Sequence, residues 1–594
     1  MNIKPTSLTI TQLLGAENEQ YVIPAYQRRY SWREKQLWEL IDDISLLEPS
    51  DTHLLGSIVC LTDKHTAGIN KLELVDGQQR LTTVCILLHC IRDRLKQEKK
   101  ESQVSDVERL LHAKSPDEAL FRKVALDSID AAEFEQLVAK HTPAHADNPN
   151  LAFAFSTFRD WVSQKELAEL ITFLYALKNQ AIVIRLDVSE AKDAFKLFET
   201  INNRGLKLSP TDIVKNFILG NAARFGEDKL AFARLRWAEL IRNLDGTNLD
   251  VFFRQYLIAR MTKRVTASYV IPYFKTLFMR TVAEAAQLPE RHWYSDEKET
   301  EEDDDDNVTT SNGEPAVIER SAAQVSFTEF LDDLIKCAKD YGQVSLAKTG
   351  VPQIDRRLRN LRMIKSLQTY GFLMHLRAGG CSDSDFETIL GLTEAFMLRR
   401  HICRERANDN ETAFARLCAV DCKNPIKEVT EEFRRYCPSD ARFREAFAKS
   451  AFNANLMERA RYCLEQFEYK RQGKYLELLV GGADAVHVEH IIPQTIKTRK
   501  AKKEFGDWPD YLGPDSEALH PDYVSRIGNL TLFAGALNIG ASNNPYERKK
   551  VAYSISAIKL TNSLPQEYAE FKFEQVDDRA AELADLAVKL WPVP

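Results

Sequence analysis

In AVHVEHIIPQT, residues 485–495, two histidines and a glutamate fall within four positions of an otherwise apolar segment that Pro493 stops. Valine and isoleucine would pack better in a strand, so His487, Glu489 and His490 ask for a chemical use. Alternation puts His487 and Glu489 on one strand face and Val488 and His490 on the other. Further on the chain reads IGNLTLFAGALNIGASNNPYERKK, with Asn529 after a glycine and Asn538 nine residues beyond it. Imidazole, carboxylate and amide together suit hydrolysis of a phosphodiester. That reaction needs an attacking hydroxide, a cation to neutralise charge on phosphorus, and help for the leaving oxygen. A neutral imidazole can take the proton from water, and His490 is the candidate base. A hard divalent cation, Mg²⁺ or Mn²⁺, prefers oxygen ligands and keeps several waters. Glu489 and Asn538 could supply two of those oxygens. His487 is a second candidate for the phosphate. Lys549 and Lys550 could reach the phosphate or fix a helix. The run TIKTRKAKKEF adds Lys497, Arg499, Lys500, Lys502 and Lys503 as contacts to a phosphate backbone.

Histidine, asparagine and a final asparagine, in that order and at about this spacing, resemble the HNH family of nucleases. The resemblance implies a β-hairpin followed by a helix, the ββα-Me fold, clasping one divalent metal. It also implies that Asn529 holds the His490 loop through backbone hydrogen bonds. Many HNH members carry Asp or His where this chain has Glu489. No CxxC pair flanks the motif, so the structural zinc of some relatives is not expected.

A second set of residues lies near the N-terminus, in IPAYQRRYSW (23–32), LVDGQQRLTT (74–83) and FETINNRGLKLSPTDIVKNFIL (198–219). The middle stretch reads strand, tight turn, helix. Asp76 and Gly77 take the turn, and Gln78, Gln79 and Arg80 the first helical turn. A helix N-terminus offers unpaired N–H groups and positive potential to a phosphate, and Arg80 adds a bidentate donor. The third stretch starts a helix at Ser209, with Pro210 at N1 and Asp212 at N3. There is no GxxxxGK[ST], so this is not a Walker P-loop.

The three stretches in this order are similar to the N-terminal domain of GmrSD-type modification-dependent (type IV) restriction enzymes, in which a helical region and an HNH domain follow. The resemblance spans both ends of the chain. It implies a ParB/sulfiredoxin-like domain that binds and hydrolyses a nucleoside triphosphate, GTP, UTP, CTP or ATP, coupled to cleavage of double-stranded DNA carrying modified bases. Carried over residue by residue, it puts Gln27, Arg28, Arg29, Tyr30, Asp76, Gly77, Gln78, Gln79, Arg80, Asn203 and Arg204 at the nucleotide, with Asp76 as the carboxylate that positions water or metal.

These sites need elements to hold them. GSIVCL (56–61), KLELV (71–75) and QAIVIRLDV (180–188) read as strands. SWREKQLWELIDDISLL reads as a helix opened by a Ser31–Glu34 capping box. The expected fold is multidomain and mostly α. It has an α/β domain over 1–220, a helical region over 221–460, and an HNH domain over 461–594. The helical region is interrupted by an acidic run, 295–315, too charged to bury a core. The helical middle has three roles open to it: bridging the sites, reading the modification, or forming a homodimer. No run nears the apolar length of a membrane helix. The first twenty residues lack a basic start with an apolar core, and ten scattered cysteines suit a reducing compartment, so a cytoplasmic location is expected. With a net charge of −7, DNA must be met by local basic patches. Two further readings stand beside the nuclease: a nucleotide-gated, ParB-like DNA-binding protein with a non-catalytic HNH domain, and a nucleotide hydrolase acting as a regulatory scaffold.

Overall fold

The computed structural model describes residues 3–66, 68–140, 147–202, 209–286, 324–473, 480–496, 508–541 and 544–594. The chain is mostly helical with a small mixed sheet. It divides into two compact units, Met1–Arg254 with Thr266–Lys339, and Gln255–Val265 with Asp340–Pro594. Among the described residues, no helix is long and apolar enough to cross a membrane. The acidic run 295–315, Asn203, Arg204 and the basic loop bearing Lys497, Arg499, Lys500, Lys502 and Lys503 lie outside the described residues.

The first unit is built on a sheet of β1 (Ile3–Thr9), β2 (Glu19–Ile23), β3 (His53–Thr66), β4 (Ile69–Asp76), β7 (Val124–Leu126) and β8 (Ala181–Val188). A small hairpin, β5 (His112–Lys114) and β6 (Leu120–Arg122), lies apart from it. The strand order is β1-β8-β3-β4-β2-β7. β1 with β8 and β3 with β4 are antiparallel; β3–β8, β2–β4 and β2–β7 are parallel. The three expected strands are present as β3, β4 and β8. The helix Gln78–Gln97 follows β4 and is buried without a break from Leu81 to Arg92. Helices Glu34–Ser45 and Pro149–Gln164 join its apolar cluster. The capping box differs from expectation. Arg33, not Ser31, is the N-cap, and its N–H donates to Gln36 Oε1 at 3.0 Å. Ser31 N–H instead donates to Gln79 Oε1 at 2.8 Å, so the long-range bond displaces the local one.

The second unit is mainly helical, and Glu394 ties three of its helices together. The Glu394 carboxylate accepts from Asn360 and Arg357 of helix Pro352–Ile364 and from Tyr462 of helix Met457–Gln472. Tyr462 in turn accepts from Trp591 Nε1 at 2.8 Å. Strands β9 (Val486–His490) and β10 (Leu530–Ala534) form a two-stranded antiparallel sheet. The helix Gly535–Ala541 follows β10 directly, and helix Phe573–Leu590 packs beneath.

Candidate functional site

In the second unit the β9–β10 register sets Glu489 opposite Thr531 and His490 opposite Leu530. Asn529 is fully buried just before β10. Its Nδ2 donates to the carbonyls of Ile492 and Val524, each at 2.9 Å, and its Oδ1 accepts from Ile492 N–H at 2.7 Å. These reciprocal amide bonds pin the turn that follows His490. Gly528 precedes it because there is no room for more: a Cβ would stand 2.0 Å from the carbonyl oxygen of Val576. Arg579, from the same helix, donates to the carbonyls of Gly528 and Leu530 at 2.7 Å each.

β9, its following turn and the helix after β10 line a cavity of about 470 Å³. His487, Glu489, His490, Asn538 and Lys549 all reach it, together with Gln494 and, from helix Met457–Gln472, Glu458 and Arg461. The His490 ring is largely buried but open to this cavity, and its Nε2 lies 3.3 Å from Gln494 Nε2. Burial first, then the Lys549 ammonium and His520, lower its pKa to about 4. The imidazole is therefore neutral at pH 7, the form that accepts a proton. The His487 ring packs against Gly535, where an added Cβ would meet its Cε1 at 3.0 Å.

Two residues expected at the substrate are engaged inside the protein instead. Lys549 is buried, and its Nζ donates to Glu489 Oε1 at 2.5 Å and to the carbonyls of His490 and Ile491 at 2.9 and 3.2 Å. An ammonium with three internal acceptors has no donor left for DNA, so Lys549 anchors β9 rather than contacting phosphate. Lys550 donates to the carbonyl of Ala569 and pairs with Glu547, both at 2.8 Å, which fixes its own helix. Glu489 also accepts from Tyr553 OH, again on Oε1. Among the described residues, its other oxygen accepts no hydrogen bond. Among the described residues, no group of three or more His, Cys, Asp and Glu side chains could hold a metal. A cation here would rest on Glu489 Oε2, the amide oxygen of Asn538 and water, a donor set that suits Mg²⁺, which keeps much of its hydration. The Glu458 and Arg461 wall was not legible in sequence, because its helix precedes the motif and carries no periodic signal toward it.

In the first unit, the DGQQR stretch sits where β4 ends and helix Gln78–Gln97 begins. Gly77 is left-handed, φ +92°, and a Cβ there would meet Ile58 Cγ2 at 2.4 Å, so glycine is needed on both counts. Asp76 lies beside Arg80, Lys215 and Asp212. Burial raises its pKa, and the Gly77 N–H and the two cations oppose that. Arg80 Nη1 donates to the carbonyl of Ser57 at 2.8 Å. Gln27 is buried, and its Nε2 donates to the carbonyls of Leu74 and Val75, both at 3.0 Å. Gln78 Nε2 donates to Arg28 carbonyl, while its Oε1 is buried with no partner among the described residues. A buried acceptor left so costs roughly 1–3 kcal/mol, which a ligand donor would relieve.

The remaining residues of this set form framework. Arg29 pairs with Asp130 at 3.1 Å and Asp245 at 2.6 Å. Tyr30 is buried against Thr83 Oγ1 at 2.8 Å, and its N–H donates to Asp130. Gln79 bridges Arg29 carbonyl and Ser31 N–H. Tyr30 and Gln79 lock IPAYQRRYSW onto the helix and spend their polar groups in doing so, while Arg29 ties the stretch to Asp130 and Asp245. Arg28, Gln27, Asp76, Gln78 and Arg80 are brought together at the turn. Asp212 and Lys215, the buried pair beside them, belong to the helix Pro210–Phe225.

Residues 10–219 match the family model for the N-terminal domain of GmrSD restriction endonuclease, and residues 437–586 match that for the C-terminal domain of GmrSD restriction endonucleases. Between them the two matches cover more than half the chain and contain both sites. No curated protein matches the chain.

Proposed function

We propose, taking as premise that the chain belongs to the GmrSD restriction endonuclease family, that it is a cytoplasmic, nucleotide-dependent HNH nuclease that cuts modified phage DNA. The observation that carries the nuclease part is the 470 Å³ cavity, onto which His490 and Glu489 converge from one strand and Asn538 from a helix. His490 accepts a proton from water. The water oxygen bonds phosphorus as one P–O ester bond breaks, and the departing oxygen takes up a proton. Asn529 keeps the imidazole aimed by fixing the turn after it. Glu489 and Asn538 would hold a divalent metal, which would supply charge neutralisation at the phosphate. The strand pair followed by a helix supports the ββα-Me reading.

The nucleotide part rests on the turn at Asp76. A helix N-terminus, Arg28 and Arg80 suit a polyphosphate, and the unpartnered Gln78 Oε1 suits a donor from the ligand. Hydrolysis can gate cutting only if nucleotide and product bind two conformations with different affinity.

The test is cleavage of hydroxymethylated and glucosylated phage DNA by the purified full chain with Mg²⁺ and each nucleoside triphosphate. Wild type should nick, and His490→Ala should fall by at least about a hundredfold, the usual scale of a lost general base. Equal cutting by the two proteins overturns the assignment. One observation favours a second reading, a nucleotide-gated DNA-binding protein with a non-catalytic HNH unit: the Lys549 ion pair on Glu489 competes with a metal. Under that reading His490→Ala protects cells from phage as well as wild type does.

A further inference from the structure

Lysine is rarely buried without a full counter-charge, yet Lys215 is 3% exposed and its nearest partner is neutral. Its Nζ lies 2.6 Å from Gln27 Oε1 and 3.5 Å from Asp212 Oδ1. Asp212 is shared further, accepting from Ser209 Oγ at 2.9 Å and facing Arg28 Nε at 3.6 Å. The Gln27 amide cannot flip, because its nitrogen donates to two carbonyls of β4, those of Leu74 and Val75. Those residues immediately precede Asp76. A chain of contacts therefore runs from helix Pro210–Phe225 through Lys215 and Gln27 into the strand end that presents the Asp76 carboxylate. Asp212 and Lys215, at i and i+3, share one helix face toward it. A methionine at 215 would fill the space without burying a charge, so the charge asks for a use.

We propose that Lys215 is a positioning residue of the nucleotide site, holding Gln27 and through it the end of β4, so that Asp76 is aimed for hydrolysis of a nucleoside triphosphate. This rests on the nucleotide reading above and adds to it Lys215, which lies in the stretch 198–219 but away from the Asp76 turn. Lys215 also balances the local charge: with Arg28 and Arg80 it faces the two carboxylates Asp76 and Asp212. Among the described residues the corner sets three cationic side chains against two carboxylates, which favours an entering polyphosphate.

The experiment is steady-state nucleotide hydrolysis by the full chain, with nucleotide binding measured separately, for wild type, Lys215→Met, Lys215→Arg, Gln27→Leu and Asp76→Ala. Misplacing a reacting group by about 1 Å costs on the order of a hundredfold, so Lys215→Met and Gln27→Leu should each lose about that much kcat. Their KM should stay within about threefold, and Lys215→Arg should recover part of the rate. If Lys215→Met fails to melt cooperatively, Gln27→Leu, which cuts the same chain while leaving the Lys215–Asp212 ion pair in place, decides. Lys215→Met turning over within about twofold of wild type, while Asp76→Ala is dead, overturns this role alone. A loss confined to KM overturns it too, since that marks a group gripping nucleotide. Absence of any hydrolysis by wild type overturns the nucleotide reading together with it.

Discussion

His490, Asn529 and Glu489 show how little of a residue's role is fixed by its type. Each is buried, but for different ends: His490 opens onto a cavity, Asn529 spends its whole amide on backbone, and Glu489 divides its two oxygens. The Glu489–Lys549 pair is the clearest correction to the sequence reading. Breaking a buried pair by removing one partner typically costs about 3–5 kcal/mol, because the other charge is stranded. Lys549→Met should therefore lower the denaturant stability of the second unit by about that much. It should leave the salt dependence of DNA binding unchanged, since a true phosphate contact contributes a slope of about −0.9 in log K against log salt. Loss of one such contact in the slope would return Lys549 to the DNA.

At the scale of elements, both sites depend on a glycine where a Cβ would collide, Gly77 with the Ile58 side chain and Gly528 with the Val576 backbone. Gly528→Ala would press a methyl into the Val576 carbonyl at 2.0 Å. Overpacking usually costs about 1–3 kcal/mol, and contact with helix backbone leaves little room for relief. The expected outcome is a drop in melting temperature together with slower cleavage, because the displaced segment carries Asn529. Retention of both wild-type values would show that helix Phe573–Leu590 yields freely. Element reading succeeded where local rules are strong. The DGQQR turn, the Ser209 N-cap with Pro210 and Asp212, and the VHVEH strand all stand where spacing put them. It did not include β1, a stretch that carries Pro5. The proline is tolerated because β1 is an edge of the sheet. It also failed at Ser31, where Gln79, far away in sequence, took the donor.

The whole molecule carries two compact units, with one candidate site in each. Under the proposed function, Asp76→Ala should abolish nucleotide turnover while leaving the cutting site chemically intact. His490→Ala should do the reverse, so DNA-independent hydrolysis measured on His490→Ala should equal that of wild type. Loss of hydrolysis in His490→Ala would place the two activities at one site. The stability of the second unit should also vary with pH through Glu394. Burial, opposed by Arg357, Tyr462 and Asn360, raises its pKa from 4.5 to about 6. The folded state then holds the proton more tightly than the unfolded chain. This contribution is full below about pH 4.5 and is lost as pH rises through 6. A shift of that size corresponds to about 2 kcal/mol. Glu394→Gln should flatten the stability profile between pH 4.5 and 6, as read from denaturant midpoints. An unchanged slope would assign the dependence to other groups.

What the sequence determined by itself was the identity and order of the reactive groups, and the local turns that present them. Histidine, glutamate and asparagine at short spacing, Asp-Gly before a helix, and Ser-Pro-x-Asp at a helix start are all set by interactions within a few residues. Tertiary structure alone decided which of those groups are free. Lys549 meets Glu489 across 60 residues, and Lys215 meets Gln27 across 188. Whether a charge faces a substrate or a partner depends on what the fold brings opposite it, and no local spacing encodes that.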